Sequence, residues 1–269
     1  MANTPMNRVV AITGASSGIG RATALCLARR GASIAICARR PGPLEEGAGE
    51  IRKAGGKALA VTADVTSPAD MQAFVDGTLR EFGRLDVMMC NAGYGLYGEI
   101  DRVSPEQMRA LMDVNFFGTF LAARAALPVF RRQNHGHTIV VSSIVGKRGI
   151  PFMGPYSATK FAQVGLAECL RAEVQGTPLR VSVVCPISTE TEFFTVMTRH
   201  SGFSTRAHGP RQSPDAVAKA IVRAIEHPVP EVYPYRLSKA LAIINAIAPG
   251  FCDTLTKRWG REPIELKKT

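Results

Sequence analysis

The sequence RVVAITGASSGIG, residues 8–20, decides the fold of this chain, because a short apolar run leads directly into a glycine-rich turn. Arg8 to Thr13 predicts a buried strand, and Arg21 to Arg30 after the turn predicts a helix. Glycines let the backbone approach an anion closely, and a helix N-terminus offers free N–H groups and the positive end of a dipole. The spacing T-G-x-x-x-G-x-G therefore predicts a phosphate-binding turn between a strand and a helix.

The rest of the chain repeats this alternation of strand and helix. Helices are predicted from Ser67-Pro68 onward, with Ser67 as N-cap and Pro68 in the first turn, and over 44–54, 104–130 and 155–175. Further strands are predicted over 33–38, 57–62, 85–90, 137–142 and 179–185, with a last edge strand over 231–235. Ser213-Pro214-Asp215 predicts the capped start of another helix, which runs to about His227. Such alternation indicates a parallel sheet with helices on both faces. The predicted fold class is α/β, a Rossmann-type doubly wound sheet in a single domain over 1–269, with a C-terminal helical extension over about 237–269.

Composition excludes global disorder and leaves several partners open. The 269 residues are 46% hydrophobic and 20% charged, and the formal net charge is +11. This charge permits nucleic acid, an anionic membrane surface or an anionic small molecule as partner. The basic residues occur in scattered pairs such as Arg29-Arg30 and Arg131-Arg132, without a nucleic-acid-binding module. A solvated basic surface is preferred over nucleic-acid binding.

Cysteine and histidine spacing predicts no metal site and no disulfide framework. The six cysteines show no C-x-x-C pattern, and His200, His208 and His227 are isolated in the sequence. Reduced thiols indicate a cytoplasmic protein. The first predicted strand leaves no room for a signal peptide, and no uninterrupted apolar stretch approaches the roughly 20 residues that span a bilayer.

The end of the second predicted strand bears on coenzyme choice. An acidic residue there would hold the ribose hydroxyls of NAD, but the strand ends in Cys37-Ala38-Arg39-Arg40. Guanidinium groups suit phosphate, so Arg39 and Arg40 favour NADP through its 2′-phosphate. The alternative is a solvated loop in which neither arginine binds a ligand.

A tyrosine and a lysine four residues apart suggest proton chemistry. Tyr156 and Lys160 lie on one face of the helix predicted over 155–175, so both can reach one small site. A phenol with a pKa near 10 is a poor acid or base at neutral pH, and a nearby cation lowers that pKa. The alternative is a chance pair, since tyrosine and lysine occur at this spacing in many helices.

Several polar residues and turns fall at the ends of predicted strands. The glycine turn, Arg39, Asp64, Asn91, Ser143 and Pro186 follow successive strands. Ligands of parallel sheets bind outside the carboxyl ends of the strands. The sequence therefore predicts one binding site at this edge of the sheet.

Taken in order, these motifs resemble the short-chain dehydrogenase/reductase family, in its compact single-domain branch. The resemblance covers Arg8 to Thr191 and continues more loosely to about Tyr235. It rests on TGASSGIG, DVT, NAG, Asn115 in VNFFG, Ser143 in VVSSIVG, YSATK over 156–160, and the segment from Pro186 to Thr191. This chain departs from the family pattern at Ile187, where the family usually has glycine. The change alters the backbone freedom of the segment that leads to Thr191, so it bears on the expected coenzyme contact of Thr191 more than on the expected reaction class.

The resemblance implies four catalytic residues. Tyr156 would be the general acid or base, Lys160 would lower the tyrosine pKa and hold the nicotinamide ribose, and Ser143 would hydrogen-bond the substrate oxygen. Asn115 would hold a water in a proton relay near Lys160. The implied coenzyme-binding residues are Gly14, Ser16, Ser17, Gly18, Ile19, Gly20, Arg39, Arg40, Asp64, Val65, Asn91, Ala92, Gly93, Tyr156, Lys160, Pro186, Thr189 and Thr191.

The region after the sixth strand is interpreted as a substrate lid over about 187–212. An apolar lining makes a lipophilic carbonyl or alcohol the expected substrate, although such residues also serve plain packing. Lid residues available for this lining are Phe193, Phe194, Met197 and Phe203, with Tyr94, Leu96, Tyr97, Phe152 and Met153 on the opposite side.

The main hypothesis is an NADP(H)-dependent carbonyl reductase or alcohol dehydrogenase, with NAD(H) less favoured. A sugar or polyol dehydrogenase and a non-catalytic NADP(H)-binding regulator remain as alternatives. Leu237 to Ala248 predicts an apolar helix ended by Pro249-Gly250, which packs on its own domain, contacts a second subunit or touches a membrane. A homodimer or homotetramer is the preferred assembly, and membrane contact is not expected.

Overall fold

The computed structural model describes residues 6–204, 209–256 and 264–265. Strands of the main sheet alternate with helices along the chain. The strands are β1 (Val9–Thr13), β2 (Ser33–Ala38), β3 (Lys57–Thr62), β4 (Val87–Cys90), β5 (Gly136–Val141), β6 (Leu179–Val184), β7 (Phe203–Ser204), β8 (Glu231–Val232) and β9 (Ile264–Glu265). The helices are α1 (Gly18–Ala28), α2 (Pro41–Lys53), α3 (Pro68–Phe82), α4 (Pro105–Met112), α5 (Gly118–Gln133), α6 (Gly154–Glu173), α7 (Phe193–Ser201), α8 (Pro214–Glu226), α9 (Leu237–Ile247) and α10 (Pro249–Thr256).

Seven strands form one parallel sheet in the order β3-β2-β1-β4-β5-β6-β8. Val10 in β1 pairs with Ile34 of β2 on one side and with Val87 of β4 on the other. The strand order reverses between β1 and β4, so the carboxyl ends of these two strands flank a crevice. The predicted α/β doubly wound sheet is confirmed, and such a crevice is the usual ligand site of this architecture.

Two apolar layers cover the two faces of the sheet. In β1, Val10 and Ile12 pack into one layer with α1, α2 and α8, whereas Ala11 packs into the other with α3, α5 and α6. Side chains of a strand alternate between faces, so a strand buried on both sides is apolar throughout. This explains why the predicted strands are continuous apolar runs.

Two helix starts agree with the sequence predictions. The Ser67 hydroxyl accepts a hydrogen bond from the backbone N–H of Asp70 at 3.2 Å, and Pro68 is the first residue of α3. The Ser213 hydroxyl caps α8 in the same way through the N–H of Ala216, at 3.2 Å. Side-chain caps of this kind typically contribute about 1 kcal/mol to stability.

The helix predicted over 104–130 contains a π-helical turn. α4 and α5 are joined by this turn over Asp113–Phe117, and Asn115 is buried within it. Apolar periodicity does not reveal one extra residue in a turn, so the sequence predicted a regular helix here. Such turns often occur at functional sites.

The same helical run, Pro105–Gln133, is long and apolar enough to cross a membrane by length and composition alone. Its most apolar window has a mean hydropathy of 1.2. In this fold α5 packs against β4 and β5, and 44% of that window is buried. These contacts place α5 against the sheet.

The C-terminal part differs from the prediction in three respects. The strand expected over 231–235 is limited to Glu231–Val232 at the sheet edge. α9 ends before Pro249 as predicted, but Pro249 then begins a further helix, α10, because proline suits the first turn of a helix. β9 pairs in antiparallel fashion with β7, which lies in the predicted lid.

Candidate active site

A cavity of about 680 Å³ lies at the carboxyl edge of the sheet. Its wall combines the glycine turn, the ends of β2 to β6, the start of α6, and the segments that follow β6. It is lined by the predicted coenzyme-binding residues Gly14, Ser16, Ser17, Gly18, Ile19, Arg39, Arg40, Asp64, Val65, Asn91, Ala92, Gly93, Tyr156, Lys160, Pro186, Thr189 and Thr191. The structure therefore brings these distant segments to one site.

The glycine turn has the shape of an anion cradle. Gly14 and Gly18 have φ angles of 65° and 60°, which favour glycine. A Cβ atom on Gly14 would lie 2.6 Å from the Cα of Ala92, so this position has no room for a side chain. At the start of α1, the Ser17 side chain makes no capping hydrogen bond. These features fit the phosphates of a dinucleotide.

Gly20 does not line the cavity, and its expected place in the coenzyme site stays a prediction. A Cβ atom there would lie 2.7 Å from both Asn91 Nδ2 and the Gly14 carbonyl oxygen. Asn91 Nδ2 donates to the carbonyls of Thr13 and Gly14 at 2.9 and 3.0 Å. Gly20 therefore lets α1 pack closely against the asparagine that holds the turn.

Tyr156, Lys160 and Ser143 meet on one wall of the cavity. Tyr156 and Lys160 lie on α6 and are buried, and Lys160 Nζ is 5.6 Å from the centroid of the Tyr156 ring. Lys160 Nζ donates to the Val141 carbonyl at 3.0 Å. Ser143 follows β5, and its hydroxyl donates to the Pro186 carbonyl at 3.4 Å. The chain thus places an acid, a cation and a hydroxyl donor together.

Burial governs the proton affinities of this group. It lowers the pKa of Lys160 to about 7 and raises the pKa of Tyr156, because each charged form is poorly solvated there. The neighbouring Ser143 hydroxyl works against burial and lowers the pKa of Tyr156. The sequence predicted a lowered tyrosine pKa beside the lysine, but in this structure burial is the largest influence on the pKa of Tyr156 and raises it. Tyr156 therefore carries its proton at neutral pH.

Asn115 lies behind the cavity wall and does not line it. Its side-chain Oδ1 accepts from the N–H of Tyr94 at 3.0 Å, and its Nδ2 donates to the Tyr94 carbonyl at 2.9 Å and to Thr159 Oγ1 at 3.0 Å. The amide thus joins the segment after β4 to α6. The proton-relay role expected for Asn115 stays a prediction.

Two charged groups at the end of β2 lie beside the lid. Arg39 and Arg40 are exposed and line the cavity. Arg40 Nη2 lies 3.3 Å from Glu192 Oε2, just before α7, so an ion pair links the coenzyme side of the cavity to the lid. Asp64, after β3, accepts from the N–H and hydroxyl of Thr66 at 2.9 Å each, which fixes its carboxylate.

Aromatic and apolar side chains surround the cavity beyond Tyr156. The ring of Phe193 lies 5.3 Å from that of Tyr156. The predicted lining residues that face the cavity are Tyr94, Tyr97, Met153, Phe193, Phe194 and Met197. Leu96 and Phe152 pack in the cluster behind this wall instead, and the side chain of Phe203 lies outside the described residues.

Part of the wall was missed by the sequence predictions. Ile150, Arg148, Tyr235, Leu237 and Leu241 line the cavity together with further residues of α7. The Arg148 guanidinium donates to Asn245 Oδ1 at 2.9 Å, Asp253 Oδ1 at 2.5 Å and Thr256 Oγ1 at 3.1 Å. These contacts hold α9 and α10 against the segment after Ser143. The contacts of Arg148 with α9 and α10 join residues about 100 positions apart, so no local sequence pattern could predict them.

Among the described residues, no cluster of three or more histidine, cysteine or acidic side chains could hold a metal ion. The six cysteines, all within the described ranges, are free; four are buried and Cys169 is exposed.

Comparison with known proteins gives the class of this chain. The family described as short chain dehydrogenase matches residues 8–201. The Bos taurus protein named dehydrogenase/reductase SDR family member 7B is 34% identical, over 97% of this chain and 84% of that protein. The chain therefore belongs to the short-chain dehydrogenase/reductase family of oxidoreductases, as the motifs predicted.

Solved structures show the same fold. A short-chain dehydrogenase/reductase from Burkholderia phymatum in complex with NAD superposes with a TM-score of 0.83 at 24% identity, covering all of both chains. An alcohol dehydrogenase from Thermococcus sibiricus complexed with 5-hydroxy-NADP has a TM-score of 0.75 at 29% identity, covering 85% of this chain and 96% of that one. These two relatives hold different nicotinamide dinucleotides, so the fold alone does not decide between them.

Proposed function

We propose that this chain is an NADP(H)-dependent oxidoreductase that interconverts a lipophilic ketone or aldehyde and the corresponding alcohol. The observation that carries the proposal is the meeting of Tyr156, Ser143 and Lys160 on a wall of the cavity that also contains the glycine turn. An acid, a hydroxyl donor and a cation beside a phosphate cradle match carbonyl reduction. A non-catalytic regulator would not need this arrangement.

The proposed mechanism assigns each polar group one task. The glycine turn and Thr191 line the cavity and would hold the coenzyme, whose nicotinamide would supply or accept the hydride. Ser143 donates a hydrogen bond that orients the substrate oxygen, and Tyr156 gives its proton to that oxygen during reduction. The Lys160 cation stabilises the phenolate left behind, and the buried wall excludes water from the exchange.

The coenzyme preference is proposed from the end of β2. Arg39 and Arg40 are the charged residues at this position, where an NAD enzyme would carry a carboxylate that accepts from the ribose hydroxyls. Arginine binds phosphate through two parallel N–H donors, so the 2′-phosphate of NADP would gain charge-assisted hydrogen bonds there.

Replacing Arg39 by alanine should weaken NADPH binding by about 10- to 100-fold and leave NADH binding almost unchanged, as expected for the loss of hydrogen bonds to a charged group. Isothermal titration with each coenzyme measures both constants. Arg29→Ala, at the C-terminal end of α1, serves as a matched control for the loss of one positive charge. Equal losses for NADPH and NADH would remove the basis for the NADP preference.

The substrate class is proposed from the cavity lining. Phe193, Phe194, Met197 and Tyr97 favour an apolar substrate over a sugar, because they offer few hydrogen-bond partners to multiple hydroxyls.

Consumption of NADPH and NADH should be measured with aliphatic and aromatic ketones, a steroid, a retinoid aldehyde, a β-ketoacyl thioester and a sugar. We expect NADPH oxidation to be fastest with the lipophilic carbonyls, since these bury most apolar surface. Activity confined to the sugar would contradict the proposed substrate class, and retention of bound NADPH without any turnover would favour a regulator.

We also propose that the chain acts as a single domain and assembles as a homodimer or homotetramer in the cytoplasm. Three phenylalanines are between 39% and 48% exposed: Phe117 in the π turn, Phe120 in α5 and Phe161 in α6. α9 also exposes Ile243 and Ile247. Apolar faces of this kind are typical of subunit contacts. Nucleic acid and membranes are not part of the proposal.

A further inference from the structure

Gln163 is a buried polar residue on α6, three residues after Lys160, that the catalytic assignment leaves unused. Its side chain has no exposed surface. Its Nε2 donates to the backbone carbonyl of Asn115 at 2.7 Å and to Thr119 Oγ1 at 2.7 Å. Its Oε1 accepts from Lys160 Nζ at 3.0 Å. One amide therefore bridges the π turn and the catalytic lysine.

The partners determine which way this amide points. A carbonyl oxygen can only accept, so the side-chain nitrogen must face Asn115. A lysine ammonium can only donate, so the side-chain oxygen must face Lys160. Thr119 Oγ1 accepts from Gln163 and in turn donates to the Asn115 carbonyl at 2.8 Å. Each polar atom of the amide thus has a partner of the required kind.

We propose that Gln163 is a positioning residue that holds the Lys160 ammonium in place and keeps it charged. This inference rests on the proposed oxidoreductase function. The family resemblance implies a water held by Asn115 near Lys160, and in this chain the covalently tethered Gln163 amide joins the Asn115 carbonyl to the Lys160 ammonium. A tethered group has already lost most of its freedom on folding, so it holds the ammonium without the entropy cost of ordering a water.

The electrostatic setting explains why such a partner matters. Lys160 is faced by the Tyr156 phenol from its own helix and by the Cys185 thiol at the end of β6. Burial favours its neutral form and brings its pKa to about 7. An acceptor on the ammonium favours the charged form instead. Because the cation is what stabilises the Tyr156 phenolate, the acceptor on Lys160 bears directly on proton transfer.

The proposal is tested first on coenzyme-free protein, with lysine isotope-labelled at its side chain and titrated by NMR. The Lys160 resonance is assigned by its loss in Lys160→Met. Gln163→Met keeps the length of the side chain but removes the acceptor, and should lower the pKa of Lys160 by about one unit, the size expected for a hydrogen bond to a charged group. Gln163→Glu should raise it, because a carboxylate attracts the ammonium.

Thr119→Val is the matched control, since it disturbs the same buried network and leaves the Lys160 contact of Gln163 intact. It should leave the Lys160 titration where the unchanged protein has it. An unmoved Lys160 titration in Gln163→Met would overturn the proposal and leave Gln163 a packing residue. So would a shift of equal size in Thr119→Val.

A second readout uses the carbonyl substrate that gives the fastest turnover. Above the pKa of Lys160 the cation is lost, so the high-pH limb of kcat/KM for reduction should move to lower pH in Gln163→Met, and to higher pH in Gln163→Glu. An unshifted limb despite a shifted NMR titration would overturn the catalytic part of the inference. Because the titration needs neither coenzyme nor substrate, it can succeed even if the proposed function fails.

Discussion

Replacing Tyr156 by phenylalanine is expected to lower kcat for carbonyl reduction by about 10³-fold, within the range typical of a general acid. The Tyr156 side chain is buried on α6, and its ring centroid lies 5.6 Å from Lys160 Nζ. In the proposed mechanism, the phenol proton is transferred to the substrate oxygen. The variant loses one oxygen atom and keeps the ring that packs on Phe193. Single-turnover kinetics with bound NADPH measure the loss at the chemical step.

Tyr94→Phe provides the matched control for Tyr156→Phe, because Tyr94 also lines the cavity and loses the same atom. It should retain turnover within a few-fold. NADPH affinity should be nearly unchanged in both variants. Turnover of Tyr156→Phe close to that of the unchanged protein would rule out Tyr156 as the proton donor.

Replacing Gly14 by alanine is expected to weaken coenzyme binding by at least about 100-fold. The added Cβ would lie 2.6 Å from the Cα of Ala92, a backbone atom of the cavity-lining segment after β4, so the glycine turn and that segment would be forced apart. The φ angle of 65° adds a left-handed strain of about 1–2 kcal/mol for a residue with a side chain. Titration of NADPH binding by fluorescence measures the effect, and thermal unfolding records any loss of stability.

Gly83→Ala separates the steric effect from the backbone strain. Gly83 has a φ angle of 75° at the C-cap of α3 and has open space where a Cβ would be placed. The Gly83→Ala variant should lose about as much free energy of unfolding as the left-handed backbone strain costs, and it should bind NADPH as the unchanged protein does. If Gly14→Ala bound NADPH as well as Gly83→Ala does, the turn would not be the pyrophosphate cradle.

The sheet and its binding edge could be predicted because both depend on local patterns. Continuous apolar runs such as Ser33 to Ala38 belong to strands buried on both faces, and their carboxyl ends must share an edge in a parallel sheet. Ser143 and Asn91 could therefore be assigned to one site from their positions after strands. Burial of Tyr156 is a tertiary effect, and so the direction of its pKa shift could not be obtained from the spacing to Lys160.

Other features depend on contacts that no local pattern records. The π turn around Asn115 differs from a regular helix by one residue. The backbone carbonyl of Asn115 accepts a hydrogen bond from Gln163, which lies 48 positions later in the sequence. Gly20 could be assigned to the glycine motif, but its actual neighbour is the Asn91 side chain. The contacts of Arg148 to α9 and α10 join segments about 100 residues apart. Sequence spacing gives no distance across such gaps.

The contacts of Arg148 also bear on how new substrate preferences can arise by mutation. The proposed chemistry resides in the part of the chain that matches the family, residues 8–201, whereas Tyr235, Leu237 and Leu241 contribute wall residues from outside that match. Arg148 anchors this second part to the first through three side chains. Substitutions in α9 can therefore reshape the substrate wall while the proton-transfer residues stay untouched. Under the proposed function, part of the substrate selectivity would be encoded outside the stretch that carries the proton-transfer residues, and the rest within it.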